Sequence, residues 1–232
     1  MGKLNKLITA MSVALLTSGA AIADMSGFGI GVTGSSATFD TKGYELEGGE
    51  LERTSISKDV EYPAIWAEYS SPSYGPGLAI TLGVEFIPGE AELGAKSRTD
   101  TTADANEDDQ DDSTYTAKAE VSDYMSIYLE PTLRLQDNFG IYIRGAVSEV
   151  TVNSLESIAS GTDSSTYGNE TILGGTVGVG ITGQTEGGLY WKLSHETTKY
   201  ETVELTSTTG NQNTIKAKPE QEATRLAIGF RF

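Results

Sequence analysis

The stretch RLAIGFRF, residues 225–232, ends the sequence on a strict alternation of two kinds of side chain. A period of two is the pattern of a β-strand with one apolar face, whereas chain ends are usually polar and poorly ordered. The stretch therefore predicts a terminal strand. One face carries Leu226, Ile228, Phe230 and Phe232, and the other carries Arg225, Ala227, Gly229 and Arg231.

The same alternation recurs in seven earlier runs, which begin near residues 28, 63, 80, 125, 139, 173 and 189. The runs are joined alternately by long polar segments and by short turns. The long segments cover about 40–59, 97–117, 154–170 and 200–221. Helical periodicity with capping residues is absent. The pattern predicts an all-β, eight-stranded antiparallel sheet in an up-and-down meander, with long loops at one end and short turns and both termini at the other.

Composition narrows the class of function. The 232 residues include 33 acidic and 16 basic side chains, so the net charge is −17, and none of the charge runs is basic. Binding to nucleic acid requires a basic surface that neutralises phosphates, and it is therefore disfavoured. The chain has no cysteine, which excludes disulfides and thiolate metal sites.

The first 23 residues have the composition of a secretory signal peptide. Lys3 and Lys6 precede an apolar run, and the small residues around Ala21 and Ala23 form a cleavage pattern. A membrane anchor is the alternative, but the apolar run is short for one. We expect a signal peptide at 1–23 and a barrel domain at 24–232. Removing two lysines leaves 14 basic and 33 acidic side chains, a net charge of −19.

The two faces of the predicted strands differ in charge. One face is almost entirely apolar, and the other carries as many acids as bases, although the whole chain is strongly acidic. A soluble, lipocalin-like barrel would put its apolar face inside. Balanced charges are instead expected in a narrow lumen, where an unpaired charge is costly. The predicted lumen network consists of Glu68, Glu85, Glu130, Arg144, Lys192, Glu196, Arg225 and Arg231.

With its aromatic last residue, the terminal strand resembles the closing strand of bacterial outer-membrane barrels. The chain as a whole resembles the small barrels of the outer membrane protein A, OmpX and opacity-protein type, without the periplasmic domain of the first. The resemblance implies a place in the bacterial cell outer membrane, contact with its lipid and lipopolysaccharide, and handling by the barrel assembly machinery. The implied assembly signal is Leu226, Ile228, Phe230 and Phe232.

Two motifs suggest ligands, and each has a simpler explanation. GVGITG, residues 178–183, satisfies the G-x-G-x-x-G pattern, but no helix follows to receive a pyrophosphate. DANEDDQDD, residues 104–112, offers oxygen ligands to divalent cations such as calcium. It lacks the glycine and the final glutamate of an EF-hand loop, and solvated loop charge explains it better. We expect no cofactor and, at most, weak divalent binding at the acidic loops.

His195, the only histidine, is the sharpest hint of an enzyme, because some eight-stranded barrels are lipid A esterases with a lipid-facing His-Ser-Glu site. Its neighbours Ser194 and Glu196 have the opposite parity, so no triad assembles locally. We therefore expect no enzyme.

The sequence favours a passive barrel with a structural, surface-interaction or adhesion role. The alternative is a minor channel for small ions or solutes, gated by Glu85 or Glu196 paired with Arg225 or Arg144.

Overall fold

The computed structural model of the chain describes residues 25–47, 50–100, 113–157, 167–208 and 213–232. The predicted signal peptide lies outside these residues. No helix in the described part of the chain is long and apolar enough to cross a membrane. The described residues form ten strands: β1 (Gly27–Glu47), β2 (Glu50–Ser70), β3 (Leu78–Phe86), β4 (Ala91–Asp100), β5 (Ser113–Gln136), β6 (Phe139–Ser157), β7 (Glu170–Gln184), β8 (Leu189–Tyr200), β9 (Val203–Thr206) and β10 (Thr214–Arg231).

Eight of these strands close into a ring in the order β1-β2-β3-β5-β6-β7-β8-β10, and β10 pairs with β1. All the pairings are antiparallel. The two remaining strands are additions at the loop end: β4 follows β3 and pairs with β5, and the four-residue β9 follows β8 and pairs with β10. The predicted eight-stranded antiparallel barrel is therefore confirmed.

The ring closes between the first and last strands. Their register runs without a break from Gly29 opposite Arg231 to Leu46 opposite Thr214. Closure satisfies the backbone donors and acceptors that an open sheet would leave along its two edge strands. A closed sheet is also the only form of sheet that can cross lipid.

The exterior of the ring is an apolar belt. Large aliphatic side chains stand 40–70% exposed on it, such as Val32, Ile143, Val177 and Leu226. Aromatic rings lie towards the turn end, where Phe139 packs on Trp191 with 6.4 Å between ring centroids, and Phe230 and Phe232 are more than half exposed. An outward aliphatic band with an aromatic margin is the surface of a barrel that faces lipid.

The strands extend well past this belt, and the predicted loop boundaries are wrong in this respect. β1 and β2 have 21 residues each and β5 has 24, whereas crossing a bilayer takes 9–11. The described parts of the four predicted loops are therefore mostly strand. Residues 40–47 and 50–59 are paired with each other, and 214–221 pair with β1. Apart from Leu46 and Leu51, these segments are largely polar on their outward face, so apolar alternation does not reveal them.

Candidate functional site in the lumen

The eight charged residues predicted for the lumen lie together inside the barrel, and each is at most 6% exposed. Their side chains come from six strands, β2, β3, β5, β6, β8 and β10. Successive side chains of a strand point to opposite faces of the sheet, and these eight residues all occupy positions that face the barrel axis. They form one connected, electrically neutral network of four carboxylates and four cations, which we call the lumen cluster.

The turn-side half of the lumen cluster is centred on Glu68 and Lys192. Lys192 Nζ lies 2.5 Å from one carboxylate oxygen of Glu68 and 2.5 Å from one of Glu130. The other oxygen of Glu68 accepts a hydrogen bond from Arg231, whose guanidinium also donates to the Met25 carbonyl at 2.6 Å. The last strand is thus tied to the residues that precede the first.

The loop-side half joins two arginines to two glutamates. Arg144 donates to Glu130 at 2.9 Å and lies 3.5 Å from both Glu85 and Glu196. Arg225 donates to Glu196 at 2.8 Å and forms a second, shorter ion pair with Glu85. All four arginine–glutamate pairings considered for a gate therefore occur at once, since each arginine contacts both glutamates.

Aromatic rings line the lumen cluster, and the sequence analysis did not single them out. Arg144 stacks on Tyr128 and Arg231 on Tyr190, each 3.8 Å from the ring centroid, and Tyr128 donates a hydrogen bond to Glu68 at 2.7 Å. Such cation–π contacts are strengthened where water is excluded. The tyrosines share the parity of the charges, and this parity was the available sequence signal.

Glycines on facing strands make room for these large side chains. A Cβ at Gly180 would lie 2.5 Å from the Tyr142 ring, and one at Gly178 would lie 2.6 Å from Glu196 Cγ. Such separations are shorter than real contacts allow. Gly178 and Gly180 of GVGITG therefore accommodate lumen side chains, and Gly183 makes room for the Trp191 ring on the outer face, 2.5 Å from where its Cβ would lie.

The packed lumen cluster leaves little space for water. A cavity of about 10 Å³ lies beside it, bordered by Thr33, Trp66 and Ala227 among others. A cavity of this size holds at most one water molecule. The arrangement can neutralise its own charges and obstruct the barrel axis.

Nearer the loop end, the lumen changes from charged to apolar, which the sequence analysis did not foresee. Val150, Val152, Ile172 and Val203 are each at most 7% exposed and pack together, and Val121, Tyr124, Tyr200, Leu205 and Ala217 pack against them. We call this group the upper apolar layer. The sequence signal for this layer is that Val150 and Val152 share the inward face of one strand, just before the predicted loop at 154–170.

His195 lies on the outer face, as its parity predicts, and its Nδ1 is 3.3 Å from the Thr224 hydroxyl. Ser194 and Glu196 point into the lumen, where the serine hydroxyl donates to the carboxylate at 2.8 Å. The strand therefore separates the imidazole from both groups that an esterase site would require.

Two predicted sites remain, the C-terminal assembly signal and the acidic run that could bind divalent cations. Leu226, Ile228, Phe230 and Phe232 all lie on the outer face, 47–59% exposed. The acidic run at 104–112 lies outside the described residues. Within the described part of the chain, no three His, Cys, Asp or Glu side chains are grouped so that they could hold a metal ion.

No protein-family model and no curated protein matches the chain. Several solved barrels have a similar shape, among them the attachment invasion locus protein Ail of Yersinia pestis in complex with a heparin analogue, at 11% identity and a TM-score of 0.40, covering 87% of this chain and 99% of that one. Neisserial surface protein A is 13% identical with a TM-score of 0.42, and the match covers 89% of this chain and 98% of that one. The outer membrane protease OmpT of Escherichia coli is 7% identical with a TM-score of 0.44, and the match covers 93% of this chain and 100% of that one. Because these identities and TM-scores are low, the class of barrel is assigned from the residues of this chain alone.

Those residues define the class of barrel. A closed antiparallel ring, an apolar exterior with aromatic residues at its margin, and a polar interior are the features of a transmembrane β-barrel of the bacterial outer membrane. The predicted eight-stranded transmembrane barrel and its place in the bacterial outer membrane are therefore confirmed.

Proposed function

We propose that the protein is a non-conducting outer-membrane barrel that acts through its loop end, in a structural, surface-interaction or adhesion role. The observation that carries this proposal is the lumen cluster. Its eight charges pair with one another inside a ring of only eight strands, whose interior is just wide enough to be filled by side chains.

Charge distribution supports a role for the loop end. The chain has 33 acidic and 16 basic side chains, and the lumen cluster takes four of each, so 29 acids and 12 bases remain elsewhere. The net charge of −17 therefore lies wholly outside the cluster. The long polar strand segments and loops carry most of it beyond the lipid, where it suits basic partners or divalent cations that bridge lipopolysaccharide.

A minor gated channel is the competing function. It requires that the Arg225 and Glu85 pair separate to admit ions. Opening that pair would leave Arg144, Lys192 and the surrounding tyrosines across the same section of the lumen, and charges buried without partners are costly. We therefore assign the cluster a static role and give no residue a catalytic one.

Single-channel recording in planar bilayers tests this proposal. We expect no stable conductance from the wild type, Arg225→Ala or Glu85→Gln. We expect the same from the control Thr224→Ala, which lies on the outer face of the strand that carries Arg225. A different gel migration of boiled and unboiled samples would establish that each variant is folded. Conductance in the wild type that Arg225→Ala alters would establish the channel instead.

The surface role has its own test. Replacing residues 104–112 by a neutral Gly/Ser segment removes acidic charge without touching the described barrel. We expect cells carrying this variant to bind less calcium and fewer basic proteins, at an unchanged level of folded barrel. Equal binding would contradict a function based on that loop.

A further inference from the structure

The barrel wall has an interruption between β2 and β4. β2 pairs with β3 from Ile65 opposite Phe86 to Ser70 opposite Thr81, and beyond Ile65 no ladder joins β2 to β4 in the described part of the chain. β4 is instead paired only with β5. We call this interruption the seam, bounded by residues 58–64 of β2 and 87–93 of the β3–β4 connection and β4.

Proline accounts for the seam on the β2 side. Phe28 and Phe232 exchange both backbone hydrogen bonds, so even-numbered residues of β1 bond to β10 and odd-numbered ones to β2. The register then directs the odd-numbered residues of β2 towards β3 and β4. Pro63 has no N–H to offer in that direction, and Pro88 stands in the connection opposite.

Above Pro63, exposed side chains bridge the seam. Lys58 of β2 lies 3.4 Å from Glu92 of β4, which is also 3.2 Å from Lys118 of β5. Exposed ion pairs of this kind contribute far less stability than a backbone ladder of several residues. The seam is therefore held together more weakly than the parts of the barrel wall that backbone ladders join.

Behind the seam lies a cavity of about 140 Å³ in the upper apolar layer. Its wall is formed by Phe39, Val121, Tyr124, Val150, Val152 and Ile172, and its mouth by Pro63, Ile87 and Pro88. An engineered apolar cavity of about 150 Å³ in another protein stays dry and binds benzene. The size and lining thus suit one aromatic ring.

A β-bulge places a polar group in this cavity. The β5–β6 register shifts between Ser122 and Met125, and Asp123 takes a φ of 54°, so Val121 and Tyr124 both point inward. The hydroxyls of Tyr62 and Tyr200 are both bonded to Gln221. The hydroxyl of Tyr124 has no such partner among the described residues, and it can bond to a guest.

We propose that the upper apolar layer is a binding pocket for one uncharged, membrane-partitioning molecule about the size of a substituted benzene ring, which enters sideways through the seam. The mouth lies just beyond the lipid-facing residues Ile65 and Phe86, so the entrance opens at the margin of the apolar belt. Glu61 and Glu90 flank it and repel anions, which excludes fatty carboxylates and lipid phosphates.

Methyl NMR of the barrel in nanodiscs tests the pocket, with phenol and toluene as probes. We expect saturable shifts of the Val150, Val152 and Ile172 methyl signals, several-fold tighter binding of phenol than of toluene, and no binding of benzoate. Tyr124→Phe should abolish the preference for phenol. Shifts that grow linearly without saturation, as for lipid-facing Val177, would overturn the pocket.

Two matched variants separate binding from lipid effects. Val150→Phe fills the cavity and should weaken phenol binding at least tenfold, whereas Val147→Phe on the outer face of the same strand should leave it unchanged. Equal effects of the two would overturn the proposal. Boiled and unboiled gel migration verifies folding, and a milder filling variant, Val152→Leu, provides the test if Val150→Phe does not fold.

The side entrance is tested with single thiols, because the chain has no cysteine. A bulky maleimide on Pro88→Cys should slow phenol uptake at least tenfold, and the same label on Val147→Cys should not. Unchanged uptake with the Pro88→Cys label would overturn entry through the seam. The conductance measurements above are independent of this result, since the cavity lies on the loop side of the lumen cluster.

Discussion

Phe28 and Phe232 are joined by two backbone hydrogen bonds, with N–O distances of 3.2 and 2.8 Å, and these bonds close the barrel at its turn end. The pair begins an unbroken ladder between β1 and β10. Next to it, Arg231 reaches the Met25 carbonyl and Glu68. Closure therefore combines backbone pairing with the lumen cluster.

Deleting Phe232 should impair assembly more than Leu226→Ala does. The deletion removes both hydrogen bonds of the pair and an outward aromatic ring, whereas Leu226→Ala removes only lipid-facing atoms from a strand that stays paired. The fraction of heat-modifiable barrel in the outer membrane measures this. Equal fractions for both variants would count against a special role of the last residue, including its proposed role in the assembly signal.

Removing one cation from the lumen cluster should destabilise the barrel strongly. Lys192→Met leaves Glu68 and Glu130 without their shared partner, and an uncompensated buried charge costs roughly 3–5 kcal/mol. Lys199→Met on the same strand breaks only an exposed contact to Glu220 at 3.7 Å, and the expected cost is below about 1 kcal/mol. Urea unfolding in lipid vesicles compares the two.

A double variant tests whether neutrality is what matters. Adding Glu130→Gln to Lys192→Met restores a balanced charge count, so the pair should be less destabilised than the sum of the single effects. Strict additivity would indicate that packing, not charge pairing, dominates.

Gly83→Ala should destabilise the barrel by about 1–3 kcal/mol, the usual range for overpacking. The added methyl group would collide with the Tyr128 ring, which is held by Arg144 and Glu68. Gly145→Ala is the control, because a Cβ at that position meets nothing within 4 Å. Unfolding midpoints that do not differ would contradict the tight packing of Tyr128.

The ion pairs across the seam should depend on pH in a defined direction. Hydrogen bonds from Lys118 and then Lys58 lower the pKa of Glu92 below its ordinary value. The stabilising contribution is therefore complete above the ordinary carboxyl pKa and is lost as the pH falls through the lowered value. NMR titration of Glu92 should show this pKa, and Lys118→Met should raise it; an unchanged pKa in the variant would refute the assignment.

The sequence predicts the lumen cluster because a period of two assigns each inward charge without knowledge of the partner strand. Glu68 and Lys192 are 124 positions apart, yet parity alone puts both on the axis. What parity cannot predict is where the strands end. Outward residues such as Ser57 and Glu220 follow no apolar pattern, so the sequence predicts loop where the strands continue.

The upper apolar layer was missed for a different reason. The bulge at Asp123 shifts the parity of β5, so that Val121 and Tyr124 share the interior although one is odd and the other even. Periodicity presumes an unbroken strand, and a bulge is a property of pairing between strands. The seam cannot be predicted from the sequence either. Pro63 lacks a backbone N–H, but this leaves a gap in the sheet only on the side of one neighbouring strand, and the sequence does not identify that strand.

The lumen cluster also makes the barrel intolerant of misalignment. Because its charges come from six strands, a slip of one residue in β5 would turn Glu130 towards lipid and leave Lys192 and Arg144 facing each other with one carboxylate fewer. A purely apolar lumen would tolerate many such slips at little cost. The neutral network therefore selects for correct strand alignment, because its charges pair completely only when all six strands are in register.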